Sequence, residues 1–584
     1  MKKQPLRERS VDETIIDRAR AHVATMPRHP AFTFQGWGAE AVTWDFETLD
    51  RRARAVAATL EAAGAVGARA ILALPPGLDY LGAFLGCLYA GTIAVTTYPP
   101  INAAQLARVE VIAHDAGATF VVAPRRVLEL LQTASADTAP ALAAAVPIAI
   151  EQVRDDRADR FSPQTVDPAA TACLQYTSGS TSVPKGVVVT HANIAANERM
   201  IETAFGHDRN TVGVGWLPAF HDMGLIGQVL QPLWLGVHCI LLAPTTFVRR
   251  PVEWLRAISR YRGTTSAAPD FAYRLCADEV TDEEKAGLDL SSWSVAAIGA
   301  EPVRADTIAR FAAAFASCGF RREAFYPCYG MAEATLIVSG GAVDEAPVQK
   351  AVDARQLREN IVAPPSSVDG AHVLVGCGRA MAGTDVRIVN PTTSMPLPHD
   401  RIGEIWIAGP HVTAGYFGQI GASRETFAAR LAAPGTESTG PFLRSGDLGF
   451  LDEHGELFIV GRCKDLIIVR GRNHAPQDIE LTVERARAEV RPSCVAAFSV
   501  EHEAGERVVI VAELRRDATV DPDAIGRAIR HAVALHHEVE VHAVCLVPPG
   551  AVPKTTSGKL QRQTCKRAWL DRCYTDATLH LMAP

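Results

Sequence analysis

Paired cysteines are missing from this 584-residue sequence: its twelve cysteines stand singly, with no CxxC and no Cys/His spacing suited to zinc. That excludes a disulfide scaffold and a zinc module, and leaves reduced, mostly buried thiols. An excess of positive charge is also missing. A formal net charge of −7 and a pI near 6.2 provide no basic stripe to release counterions from a nucleic acid, so nucleic acid is not an expected partner. Nor is there an unbroken apolar run of membrane-spanning length. The most apolar stretch, residues 71–100, is cut by Pro75, Pro76 and Asp79 and reads as a buried strand, helix and strand. The opening MKKQPLRERSVDETIID has basic residues but no apolar region behind them, so it is not read as a secretory signal, and a cytoplasmic location is expected. His536, His537 and His542 flank the end of a predicted helix and read as a solvated helix end, not as metal ligands.

What is present is an ordinary globular balance, 48% hydrophobic and 21% charged, in a chain long enough for several cores. Short β-rich runs at 68–74, 91–98 and 118–124 alternate with Ala-rich helical stretches such as 46–64. The same rhythm returns at 238–244, 252–263, 294–303 and 304–319, which predicts an α/β fold with two helix-covered sheets before about residue 340. From Gly370 onward, strand-like pieces separated by turn residues predict a small β-barrel or meander. After residues 461–473 comes a smaller α+β segment. It contains a hairpin from CVAAFSV and RVVIVAEL, a helix starting at Asp521, a strand at EVHAVCLV and a last loop, PPGAVPKTTSGKLQR. A domain boundary is expected near Asp465, giving 1–465 and 466–584.

The stretch LQYTSGSTSVPKGVVVTHANI, residues 174–194, sets glycine, proline and hydroxyl side chains around Lys185 between two apolar runs. Its flanks predict a strand, loop, strand hairpin, which is not the loop-to-helix context of a Walker phosphate site. Backbone N–H groups freed by glycine, hydroxyl donors and one ammonium would suit a phosphate cradle; a plain hairpin turn remains the other reading. SxxK at Ser182–Lys185 could suggest an active-site serine enzyme, but Val183 and Pro184 in a strand-flanked loop do not put that pair on one helix face.

Together with WLPAFHDMGLIG (216–227), FYPCYGMAEATL (325–336), RSGDLG (444–449), GRCKDLIIVRGRNHAPQDIE (461–480) and PKTTSGK (553–559), this loop resembles the ordered motifs of the adenylate-forming acyl and aminoacyl ligases. HDMGLIG, CYGMAEATL, GRNHAPQDIE and TYPP (97–100) resemble more narrowly the fatty acyl-AMP ligases, and residues 343–376 look like the insertion that sets that branch apart. The resemblance implies a large ATP- and fatty-acid-binding domain, a mobile C-terminal domain, ATP as substrate with Mg2+, and transfer of the acyl group to a separate acyl carrier protein or a polyketide or non-ribosomal peptide synthase. Such transfer would feed lipid, polyketide or lipopeptide synthesis. No DSL-type attachment site appears in the tail, so the carrier is expected to be another chain.

Roles carried over by resemblance are as follows. Thr177, Ser178, Gly179, Ser180, Thr181 and Lys185 would hold the β- and γ-phosphates. Tyr329, with Gly330 and Met331, would stack on adenine, and Gly299, Ala300 and Glu301 would wall it, Glu301 being structural. Asp447 would accept from both ribose hydroxyls, as two carboxylate oxygens can, and Arg462 would reach the ribose or phosphates. Glu333 would bind Mg2+, which as a hard cation calls for a carboxylate. His221 would sit beside the activated carboxylate. Lys559 would neutralise charge at the α-phosphate during attack. Ala475 stands where the branch carries an aromatic, which puts the hinge contacts in question, and Ala332 in place of threonine suits the branch. Acyl-CoA ligation is the nearest alternative activity. A catalytically silent adenylate-binding protein would have to lack Lys559, Glu333 or Asp447, and all three are present.

Overall fold

The computed structural model describes residues 13–133, 138–177, 184–368, 370–432, 440–469, 472–502, 505–516, 521–555, 558–574 and 580–582. The stretch at 71–100 folds as read. Strands Arg69–Leu72 and Ile93–Thr96 lie parallel, with Ile71 opposite Val95, and helix Leu78–Tyr89 crosses between them. At 12 residues the helix is about 18 Å long, short of a hydrocarbon core of about 30 Å. Among the described residues no helix is long and apolar enough to cross a membrane. It packs on helix Phe46–Ala62, which starts where the Asp45 carboxylate accepts from the Thr48 amide at 2.8 Å. Gly86 permits that approach, since a Cβ there would lie 2.6 Å from Val56.

The two strands belong to a six-stranded sheet in the order Val146–Ala149, Phe120–Ala123, Arg69–Leu72, Ile93–Thr96, Thr171–Thr177, Lys185–Thr190. It is parallel except for the last pair, the antiparallel hairpin expected around Lys185. The second sheet has nine strands, in the order Arg379–Ala380, Ile337–Gly340, Phe325–Gly330, Val295–Gly299, Thr265–Pro269, Gly213–Gly215, Cys239–Leu242, Pro30–Gln35, Val42–Asp45. Its centre is parallel and its edges antiparallel. Helices cover both sheets and bury Trp234, Trp254 and Trp293 almost completely. Parallel sheets need that double cover, which is why their strands read as continuous apolar runs.

The small all-β unit is a four-stranded antiparallel meander of Asp385–Val389, Gly403–Ala408, Leu443–Leu451 and Leu457–Arg462. Within 343–376, strands Gln349–Asp353 and Ala371–Val375 form a separate two-stranded sheet. The C-terminal segment pairs Val490–His502 with Gly505–Leu514 as the expected hairpin, then adds Val541–Val547 in parallel and His580–Met582. Its helix Pro522–His537 begins with Asp521 accepting from the Ala524 amide.

The apolar clusters around this last sheet contain only residues from Ile467 onward. Charged pairs bridge to the rest of the chain: Arg274 to Glu484 at 3.0 Å and Arg485 to Asp306 at 2.8 Å. Arg358 of the two-stranded insert donates to the His536 carbonyl at 2.8 Å. Asp465 accepts from Gln563 at 3.1 Å and pairs with Arg562 at 3.5 Å. One reading needs correction. His536 is exposed, but His537 is half-buried with Nε2 2.7 Å from Thr482 Oγ1, and burial lowers its pKa to about 3, so it is a packed side chain and not a solvated one.

Candidate active site

The carboxyl-terminal ends of the second sheet's central strands, a preferred place for ligands in open α/β sheets, carry the predicted residues. Strand Val295–Gly299 ends at Gly299, followed by Ala300 with a φ of 64°. A side chain rarely adopts that left-handed backbone, and such departures gather at functional sites. Glu301 accepts from the Phe271 amide at 2.7 Å. Strand Phe325–Gly330 delivers Tyr329, only 8% exposed. Gly330 follows because a Cβ there would collide with the Leu336 carbonyl, and the Met331 amide donates to that same carbonyl at 2.8 Å.

Asp447 and Arg462 lie directly opposite each other in the meander. Arg462 Nε donates to Asp447 Oδ1 at 3.0 Å, and the Tyr329 hydroxyl donates to Oδ2 at 2.7 Å. Both bonds are charge-assisted; Asp447 and Tyr329 are buried, so theirs is shielded from water, whereas the Arg462 side chain stays exposed. Burial, with the Asp447 charge beside it, raises the Tyr329 pKa well above its usual value and keeps the phenol a donor. The short turn Ala332–Ala334 holds Glu333, whose carbonyl accepts from the Thr413 amide and hydroxyl, both at 3.0 Å. The Tyr416 hydroxyl donates to Glu333 Oε1 at 2.9 Å. Burial raises the Glu333 pKa, with the Asp222 charge adding to it and Tyr416 and Arg462 opposing.

His221 precedes a helical turn at Asp222, and its Nδ1 lies 3.3 Å from Asp222 Oδ1, which also accepts from the Met223 amide at 2.7 Å. Burial alone would raise the Asp222 pKa, but His221 and the Lys559 ammonium bring it below the usual carboxylate range. Lys559 shows the complementary effect. Burial lowers its pKa below that of an ordinary lysine, while Asp222, Glu301 and Asp447 oppose the fall. Its loop is closed locally: the Lys559 amide donates to Thr555 Oγ1 at 3.0 Å and the Thr555 amide to the Lys559 carbonyl at 2.7 Å. Lys559 thus reaches, from the C-terminal segment, a cavity that Asp222, Ala300, Tyr329 and Gly330 also line.

The hairpin places Thr177 opposite Lys185, whose Nζ sits 4.6 Å from the centre of the Tyr416 ring. Ser178, Gly179, Ser180 and Thr181 lie outside the described residues. Tyr416 and Asp222 were not picked out as site residues in the sequence. Asp222 lies in HDMGLIG, residues 221–227, and its charge beside a histidine is a usable signal. Tyr416 stood in AGYFG with no signal, because only the fold brings it between Lys185 and Glu333.

The AMP-binding enzyme family matches residues 19–417, and the AMP domain of Disco-interacting protein 2-like proteins matches residues 464–578. The chain belongs to the AMP-binding enzymes. It is 39% identical over 567 residues to the medium-chain-fatty-acid–[acyl-carrier-protein] ligase JamA of Moorena producens, covering 96% of this chain and 95% of that one. It is 36% identical to the long-chain-fatty-acid–AMP ligase FadD26 of Mycobacterium marinum, covering 96% and 97%. The crystal structure of a fatty acyl-adenylate ligase from L. pneumophila, in complex with acyl adenylate and pyrophosphate, superposes with a TM-score of 0.75 at 36% identity, covering 98% of both chains.

Proposed function

We propose that the protein converts a fatty acid and ATP into acyl-adenylate and pyrophosphate, and passes the acyl group to a separate acyl carrier protein. The observation that carries this reading is the convergence of Lys559 with Asp222, Ala300, Tyr329 and Gly330 on one cavity. A carboxylate oxygen attacks the α-phosphorus, the bond to the β-phosphate oxygen breaks, and pyrophosphate leaves with the electron pair. Tyr329 and the Gly299–Glu301 turn hold adenine, Asp447 and Arg462 the ribose, and the Thr177–Lys185 hairpin the outer phosphates. His221 orients the fatty carboxylate, and Lys559 neutralises charge building on the α-phosphate. Tyr416 keeps Glu333 in place. A buried carboxylate suits a hard dication, so Glu333 would hold Mg2+, which supplies charge neutralisation on the phosphates.

In this reading residues 1–465 bind ATP and the fatty acid, and residues 466–584 close over them to deliver Lys559, with Asp465 at the hinge. Dependence on ATP fits a cytoplasmic setting. The deciding assay supplies ATP, magnesium and saturated fatty acids with and without coenzyme A, and follows acyl-AMP and acyl-CoA separately by mass spectrometry. Acyl-AMP persisting in the presence of coenzyme A is the expected result. Prompt conversion to acyl-CoA would make the protein an acyl-CoA ligase instead.

A further inference from the structure

The cavity that begins at Lys559 and Ala300 runs along strand Thr265–Pro269 between the nine-stranded sheet and the helical segment 222–235, with Ile201 of helix His191–Ala204 beside it. Its walls are Val214, Ala267, Ala297 and Leu336, together with Gln228 and Ser266, whose side chains are already engaged, donating to the Ala267 and Val214 carbonyls at 2.7 and 2.6 Å. From Pro269 to Thr265 is about 13 Å at ~3.3 Å per residue. At about 1.3 Å per methylene, the axial share of a carbon–carbon bond of ~1.5 Å, that length takes roughly ten carbons. At the far end, however, the lining turns polar with His207, Thr211 and Gln231.

Three side chains fix the hydrogen-bonding character of this floor. The Gln231 amide satisfies its neighbours in one orientation, with its nitrogen donating to the Glu198 backbone carbonyl at 3.1 Å and its oxygen accepting from His207 Nδ1 and the Glu202 amide, both at 3.2 Å. Glu198 and Gln231 are essentially inaccessible to water. His207 therefore carries its proton on Nδ1, and burial, which lowers its pKa to about 4, keeps the ring neutral. Nε2 is then a bare lone pair, buried and without a hydrogen-bond partner among the described residues. A buried acceptor left unpaired is costly, and a ligand that donates to it gains that free energy.

Resting on fatty-acid adenylation as proposed above, we infer that the preferred substrate is a medium-length fatty acid bearing a hydroxyl group at or next to its far end, which donates to His207 Nε2. A site built around such a hydrogen bond discriminates strongly against the analogue lacking the hydroxyl, whereas an apolar floor discriminates weakly. The test measures kcat/KM for pyrophosphate release with decanoate, 9-hydroxydecanoate and 10-hydroxydecanoate, using the full-length protein. One hydroxy acid should exceed decanoate by about tenfold or more, and His207→Leu should reverse that order. Equal or greater kcat/KM for decanoate in the wild-type protein would overturn the inference, with no variant required. So would a hydroxy-acid preference that persists in a folded His207→Leu protein. Activity on decanoate without discrimination refutes the polar floor alone; no pyrophosphate release with any acid refutes the adenylation reading as well.

Discussion

Replacing Lys559 by alanine removes the only cation that the C-terminal segment contributes to the lining of the cavity among the described residues. Two unit charges about 4 Å apart interact by about 4 kcal/mol at an effective dielectric constant of 20, a suitable scale for an ammonium facing a phosphate in a partly shielded site. Removing one donor from such a preorganised site usually costs about 3–4 kcal/mol of transition-state stabilisation, or 10²- to 10³-fold in rate. Lys559→Ala should therefore slow acyl-AMP formation by about 10²- to 10³-fold while ATP affinity changes little, because in the proposed reading adenine and ribose are held by other residues. Single-turnover acyl-AMP formation with quenched-flow detection, beside ATP titration by calorimetry, separates the two effects. The pH profile adds a second check. In the proposed mechanism the ammonium is the active form, and its pKa is lowered, so the rate should fall as pH rises through a value below the ordinary lysine range near 10.4, and Lys559→Arg should move that limb upward. A Lys559→Ala enzyme within threefold of wild type would refute the assignment.

Tyr329→Phe deletes the 2.7 Å bond to Asp447 and should raise the KM for ATP by about tenfold, the usual worth of a hydrogen bond to a charged group, with kcat little changed; unchanged KM in steady-state assays would refute the coupling. Glu333→Gln should raise the magnesium concentration giving half-maximal rate by about 10- to 100-fold, and an unaltered magnesium titration would remove Glu333 as the ligand. Burial, and then the Glu301 charge, raise the Asp270 pKa to about 7. The folded protein thus holds that proton more tightly than the unfolded chain, so this contribution to stability is fully present below pH 4 and lost as pH rises through about 7. It amounts to at most about 4 kcal/mol. Asp270→Asn should flatten the decline, as urea unfolding at pH 5 and pH 8 would reveal; an identical slope in both proteins would count against it.

The parallel sheets were legible because strands covered on both faces must be apolar throughout, and 68–74, 91–98 and 294–303 say so directly. The helix at Pro522–His537 was legible from its Asp521 cap. The site was legible only through motifs, since Asp447 and Arg462 are 15 residues apart and nothing in either sequence neighbourhood states that they face each other across a hairpin. Tyr416 and the His207–Gln231 floor were not legible. Each depends on side chains from different elements meeting in space, and a lone tyrosine or histidine has many structural uses.

The seam between the C-terminal segment and the rest of the chain has one further consequence. Its Arg274–Glu484 and Arg485–Asp306 pairs are groups that water solvates well, and the C-terminal apolar clusters stop short of it. Parting the two sides would wet ion pairs and leave the grease sealed. If the C-terminal segment opens during turnover as proposed, it can do so without becoming sticky, and ionic strength should set how readily it does so.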